Sequence, residues 1–300
     1  MIKNRRKALA NSILLAAAII WGASFLILKD ALESVEPFVA IAIRYSVAAP
    51  ALALACFPRI RKATRQGALR GMAIGAMLFV PQAMQTYGLL DTTPGKSAFL
   101  TALYVVFTPF VFWLVDRKRP DRYNVSAALL LTVGVALISL SEALTVGWGD
   151  AITMLGGVLF AAHIVAIAKL GKGQDPFVLT TFQFVSCAGL SWLCAAATGS
   201  LGAGFLPPAG AWPAILYLAI PASAGGMLFQ IIGQQHTDPS SASILMGLES
   251  VFGVIFSVAL GYEAVSARMA LGFAAIFCAV LISELKPWRK RPAAPEPMIR

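Results

Sequence analysis

Ten runs of about 20 mostly apolar residues, separated by short clusters of charge, constrain this chain more than any other feature. They can be drawn over 8–29, 37–57, 70–90, 96–115, 123–142, 151–169, 176–198, 212–234, 240–261 and 267–286. A helix rising 1.5 Å per residue needs about 20 such residues to cross the hydrocarbon of a bilayer. The chain therefore reads as an all-α polytopic membrane protein with ten transmembrane helices, its lipid bilayer being its first partner. Hydrophobic residues make up 58% of the sequence, charged residues 13%, and the mean hydropathy is +0.77. Those values lie outside the range of ordinary soluble domains.

The runs are organised as a duplication. Gly88 to Trp113, GLLDTTPGKSAFLTALYVVFTPFVFW, recurs 145 residues later as Gly233 to Val258, GQQHTDPSSASILMGLESVFGVIFSV. In both copies a polar turn with a proline, Asp91-Thr92-Thr93-Pro94 and His236-Thr237-Asp238-Pro239, closes one apolar segment and opens the next. Earlier segments fit an offset of 139, which pairs Trp21 with Phe160, Ser24 with His163, Pro37 with Pro176, Phe38 with Phe177 and Arg44 with Gln183. The expected organisation is a first five-helix repeat over 8–142, a second over 151–286, and a Pro-rich, charged tail over 287–300 that is disordered and cytoplasmic. Five is odd, so the second copy enters the membrane from the opposite side and the repeats are inverted, an architecture that favours transport.

The formal net charge of +10 invites a nucleic-acid reading, but the positions of the 24 Lys and Arg exclude the need for one. With the amino terminus in the cytoplasm, 20 of them flank the cytoplasmic ends of the runs; only Lys29, Lys96 and Arg268 fall on the other side, and Arg44 lies inside a run. The positive-inside rule then puts both termini in the cytoplasm. The basic start around Lys3 to Lys7 resembles a signal peptide. The apolar run behind it continues through Trp21-Gly22-Ala23-Ser24-Phe25 and has a partner in the second half, so it is expected to be a retained span. The four cysteines lie in or at the ends of apolar runs without CxxC spacing, and neither a disulfide nor a metal site is expected.

Polar residues inside the runs are the candidates for function. Gln82 and Gln85 in segment 3 are three apart and share a helix face, facing protein or water in preference to lipid; bonding to a neighbouring helix and contact with a ligand both account for them. Their counterparts at 145 are Met227 and Gln230. Tyr104 in segment 4 has Glu249 as its counterpart in segment 9, and Glu249 is the one carboxylate deep within a run. Counted from Ser240 it lies about 13 Å along the helix, near mid-bilayer. An ionised carboxylate is expensive there, so Glu249 is either a proton-exchanging group or a protonated packing residue. His163 in segment 6 is the other ionisable group at depth, read as a proton relay or a hydrogen-bonded structural residue. Arg44, about 10 Å into segment 2, either lines an aqueous cavity or snorkels back to the interface.

These residues carry a resemblance to the drug/metabolite transporter superfamily, EamA type. The similarity runs from about Ala10 to Pro287 through Trp21-Gly22-Ala23-Ser24-Phe25, Pro37-Phe38 to Arg44, Gln85-Thr86-Tyr87-Gly88-Leu89, Thr93-Pro94-Gly95-Lys96-Ser97-Ala98-Phe99-Leu100, Pro239-Ser240-Ser241-Ala242-Ser243 and Leu248-Glu249-Ser250-Val251-Phe252. It implies the fold of that superfamily, ten helices in two inverted five-helix repeats, with a central cavity lined by helices 1, 3, 4, 6, 8 and 9. By position, it makes Trp21, Ser24, Phe25, Gln82, Gln85, Tyr104, His163 and Gln230 substrate-binding candidates and Glu249 a proton-coupling one.

The resulting expectation is a multi-pass secondary transporter of the cell inner membrane. It would export a small metabolite, an amino acid or related compound or a drug-like toxic compound, in exchange for protons, with an uncoupled facilitator as the alternative. No GxxxxGK[ST] is present to bind ATP, and no cofactor is expected. An intramembrane enzyme is the rival class, but HExxH, GxSxG and an intramembrane Asp pair are all missing.

Overall fold

The computed structural model describes residues 2–117, 119–139, 146–202, 204–237 and 239–285. The ends of runs 5 and 10 and the proposed tail at 287–300 lie outside the described residues. The described residues fold into ten main helical segments, with a single-turn helix, Phe57–Ile60, after segment 2 and a 3-10 turn, Ala209–Ala211, before segment 8. Segment 1 is Ile2–Ala31, segment 2 Pro37–Ala55, segment 3 Arg65–Gly88, segment 5 Arg122–Ser139, segment 6 Trp148–Leu170, segment 7 Pro176–Ala197 and segment 10 Ala267–Leu285. Segments 4, 8 and 9 are broken. Segment 4 is Pro94–Thr101 and Leu103–Asp116, and segment 9 is Pro239–Gly247 and Glu249–Ala259. Segment 8 runs from Trp212–Tyr217 through a π-helical stretch, Leu218–Gly225, into Gly226–His236. Among the described residues, six of the ten are by length and composition able to cross a membrane alone. Segment 3 is more polar, carrying Arg65, Arg70, Gln82 and Gln85.

The helix starts follow from local chemistry. Glu36 caps segment 2 by accepting from the Val39 N–H at 3.2 Å, while Pro37 occupies the first turn where its missing donor is not needed. Asp175 does the same for segment 7, accepting from Phe177 N–H at 2.8 Å and Val178 N–H at 3.4 Å ahead of Pro176. The two acid-Pro-Phe caps are 139 residues apart, so the duplication extends to the capping chemistry. The helix breaks are duplicated too. Ala102 and Leu248 interrupt segments 4 and 9 within one residue of equivalence, each close before the Tyr104/Glu249 pair.

Packing obeys the same symmetry. Segment 2 packs on 7, 5 on 10 and 4 on 9, each segment against its own repeat counterpart. The remaining major pairs exchange with one another when each segment is replaced by its counterpart five places on: 3 with 6 and 8 with 1, 3 with 7 and 8 with 2, 4 with 6 and 9 with 1. This is the contact pattern of two inverted repeats about a pseudo-two-fold axis. Segments 5 and 10 form a peripheral pair around Leu131, Phe273 and Ile276. Large apolar side chains such as Leu129, Leu155, Leu193, Ile255 and Leu271 face outward, a surface suited to lipid.

Both ends of the bundle are tied by polar contacts. At the acidic end, the Lys29 ammonium donates to the carbonyls of Leu89, Leu90 and Thr92 at 2.7, 2.9 and 3.2 Å. Nearby, Thr92 donates to Asp150, Thr93 to Glu263, and Tyr262 to Asp30. At the basic end, Arg59 pairs with Asp175 at 3.1 Å and Lys169 pairs with Asp116.

Candidate functional site

The broken helices and the capped segments enclose one cavity at mid-bundle, in which the centre of a water molecule can range over about 60 Å³. At about 10–15 Å³ per water, that is room for several waters or a small solute. All nine candidates line it: Trp21, Ser24, Phe25, Gln82, Gln85, Tyr104, His163, Gln230 and Glu249. Leu28, Arg44, Thr101, Phe160, Ile164, Met227 and Met246 complete the wall. Segments 1, 3, 4, 6, 8 and 9 therefore contribute as expected, and segment 2 joins them through Arg44.

Segment 1 supplies Trp21, Ser24, Phe25 and Leu28 at helical spacing, one face presented to the cavity. The Trp21 indole N–H donates at 2.8 Å to the carbonyl of Ala222, inside the π-helical stretch of segment 8. A π-helical turn re-routes backbone hydrogen bonds, and here it presents a carbonyl to a side chain. The indole packs so closely on Gly226 that a Cβ there would lie 2.4 Å from its nitrogen, which requires glycine. Ser24 turns its hydroxyl back to Ile20 O and Trp21 O, both at 3.0 Å.

The two glutamines belong to a relay across three segments. Tyr45 OH donates to Gln82 Oε1 at 3.1 Å, Gln82 Nε2 donates to Gln85 Oε1 at 3.1 Å, and Gln85 Nε2 donates to Thr101 Oγ1 at 3.0 Å. Both readings of these amides hold together, since they bond neighbouring helices and also line the cavity. Opposite them, His163 Nε2 meets Gln183 Oε1 at 3.1 Å and is buried.

Tyr104 and Glu249, repeat counterparts in sequence, come face to face. The Glu249 side chain is 4% exposed and opens on the cavity from the first turn of its helix piece. No salt bridge reaches it among the described residues. The Tyr104 hydroxyl points toward that carboxyl without closing a hydrogen bond of ordinary geometry.

For Arg44, the structure decides between the two readings. It is buried, lines the cavity and donates from Nε to Ser223 Oγ at 2.5 Å, with Tyr45 beneath the guanidinium at 5.3 Å. It does not snorkel. Sequence reasoning also passed over Phe160, although the 139 register pairs it with Trp21. Ser223, Ile164 and Met246 carried no signal in the letters.

The sequence pattern of the EamA-like transporter family matches residues 8–140 and 147–285. The chain belongs to the EamA-like transporter family. It is 29% identical over 269 residues to an "uncharacterized transporter" of Archaeoglobus fulgidus, covering 90% of this chain and 83% of that protein. The "uncharacterized transporter YyaM" of Bacillus subtilis is 25% identical over 258 residues, covering 83% of this chain and 85% of its own. A solved crystal structure superposes with a TM-score of 0.71 at 18% identity, covering 93% of this chain and 97% of its own, a likeness of fold. The protein is thus a multi-pass membrane transporter whose mid-bundle cavity is its candidate substrate site.

Proposed function

We propose that this EamA-like transporter is a proton-coupled exporter of a small metabolite, an amino acid or related compound or a drug-like toxic compound, working by alternating access. The halves 8–142 and 151–286 are the repeats that exchange conformations, both termini lie in the cytoplasm, and the membrane is that of the cell. One observation carries the reading: the cavity draws on both halves, and the carboxylate that opens on it, Glu249, has no ion-pair partner among the described residues. A carboxyl so placed exchanges a proton with cavity water and alters the charge the cavity offers a solute. Trp21, Ser24, Phe25, Gln82, Gln85, Tyr104, His163 and Gln230 supply apolar contact and hydrogen bonds to that solute. Nothing in this arrangement calls for bond-making chemistry, and the enzyme reading is set aside.

The test is reconstitution of the purified chain in liposomes with a mixture of amino acids, other metabolites and organic cations. An imposed pH gradient is expected to drive at least one of them up its concentration gradient. Flux that only equilibrates overturns coupling, and no flux of any solute overturns the assignment of the cavity.

A further inference from the structure

Arg44 is the one lysine or arginine among the described residues of the cavity wall. A guanidinium has five N–H donors in a fixed fork and stays charged under all ordinary conditions. Among the described residues only one of the five, on Nε, has a side-chain partner, the Ser223 hydroxyl. Among the described residues no carboxylate lies within ion-pair distance of it. Arg44 is one of the residues that line the cavity, and neither Nη is among the fully buried side-chain atoms without a partner. An arginine at this depth is expensive, and where such a residue persists it is paired or serves a pathway.

The repeat gives a second line of argument. The counterpart of Arg44 is Gln183, a neutral amide in the same register of segment 7. Gln183 is fully buried and engaged with His163. A neutral amide therefore fills this position of the fold, and the positive charge in segment 2 is surplus to packing.

We propose that Arg44 is the anion subsite of this cavity and that the transported solute bears a single carboxylate, which docks on the free Nη edge of the guanidinium. The inference rests on the reading of the cavity as the substrate site and narrows what that site accepts. Planar, bidentate pairing with a carboxylate matches the geometry of the fork, which Ser223 and the Tyr45 ring hold in place. The charge balance selects a single carboxylate. Arg44 is the one lysine or arginine in the wall, so with Glu249 protonated a single carboxylate neutralises it, whereas a dianion such as a phosphate monoester leaves negative charge unpaired in either protonation state of Glu249. The aromatic and aliphatic remainder, Trp21, Phe25 and Phe160 among it, accepts the apolar body of the solute.

The test begins from the ligand, so it does not depend on any variant folding. Thermal unfolding of the purified full chain is measured with matched acid and amide pairs: leucine and leucinamide, 3-phenylpropanoate and 3-phenylpropanamide, benzoate and benzamide. At least one acid is expected to raise the midpoint while its amide, at equal concentration, does not. In Arg44→Gln the apparent affinity for that acid should fall roughly ten- to hundredfold, the value of a charged hydrogen bond or two. Arg44→Lys should recover part of the loss. Amides as effective as acids, acids undiminished on a folded Arg44→Gln protein, or no acid acting at all would each overturn the proposal. Its failure is separable from failure of the transport reading. A neutral or cationic solute that still moves through Arg44→Gln in liposomes sinks the anion subsite alone.

Discussion

The seam between segments 3 and 7 gives the sharpest quantitative prediction. Gly75 lies against the backbone of segment 7, where an added Cβ would be 2.2 Å from Gln183 O and 2.8 Å from its carbonyl carbon and Cα. Ordinary contact begins at 3.4 Å, so Gly75→Ala must part the two helices by about 1 Å. The obstacle is helical backbone, which cannot swing aside as a side chain does, and Gln183 is also the residue that holds His163. Overpacking of this kind costs about 1–3 kcal/mol, and a backbone obstacle places it in the upper part of that range. Gly189 on segment 7 is the control, because nothing lies within 4 Å of its added Cβ. There alanine leaves stability unchanged or adds up to about 1 kcal/mol of helix propensity. The assay is SDS-induced loss of far-UV circular dichroism in purified wild type, Gly75→Ala and Gly189→Ala. A Gly75→Ala midpoint equal to wild type would refute the close approach of segments 3 and 7.

Two further perturbations probe the frame of the cavity. Trp21→Phe removes the 2.8 Å bond to the Ala222 carbonyl and should lower stability by about 0.5–2 kcal/mol in the same assay, the range of interhelical hydrogen bonds in membranes. Glu263 is buried and accepts from Thr93 Oγ1 and, at 3.1 Å, from Ser257 Oγ, strapping the start of segment 4 to the end of segment 9. Glu263→Gln keeps the shape but weakens both bonds, and should cost about 1–2 kcal/mol, with Thr93→Ala giving little additional loss in the Glu263→Gln background.

The limits of what the letters disclosed follow physical lines. Hydropathy reports apolar character averaged over a helix, so most of the runs and the proline-marked starts at Pro37, Pro94 and Pro176 were legible, whereas segments 1 and 3 begin five or six residues before the runs drawn, at Ile2 and Arg65, in basic stretches that hydropathy scores as loop. The duplication made Tyr104 and Glu249 equivalent before any coordinates placed them face to face. What hydropathy does not report is which way a side chain points from its helix, and the fate of Arg44 depended on that. The π-helical stretch of segment 8 was likewise illegible. Its sequence, LAIPASAG, holds a proline that signals irregularity, but the partner that uses the buried Ala222 carbonyl is Trp21, 201 residues away. Ser223, which anchors Arg44 across 179 residues, was hidden for the same reason.

Whether Glu249 couples solute movement to protons is decided by proton flux from liposomes holding wild type or Glu249→Gln protein, in the presence of a transported solute. Substrate-dependent proton movement is expected in wild type and none in Glu249→Gln, with the variant retaining its helicity and its elution as a folded species. Proton movement that continues undiminished in Glu249→Gln would contradict coupling through Glu249.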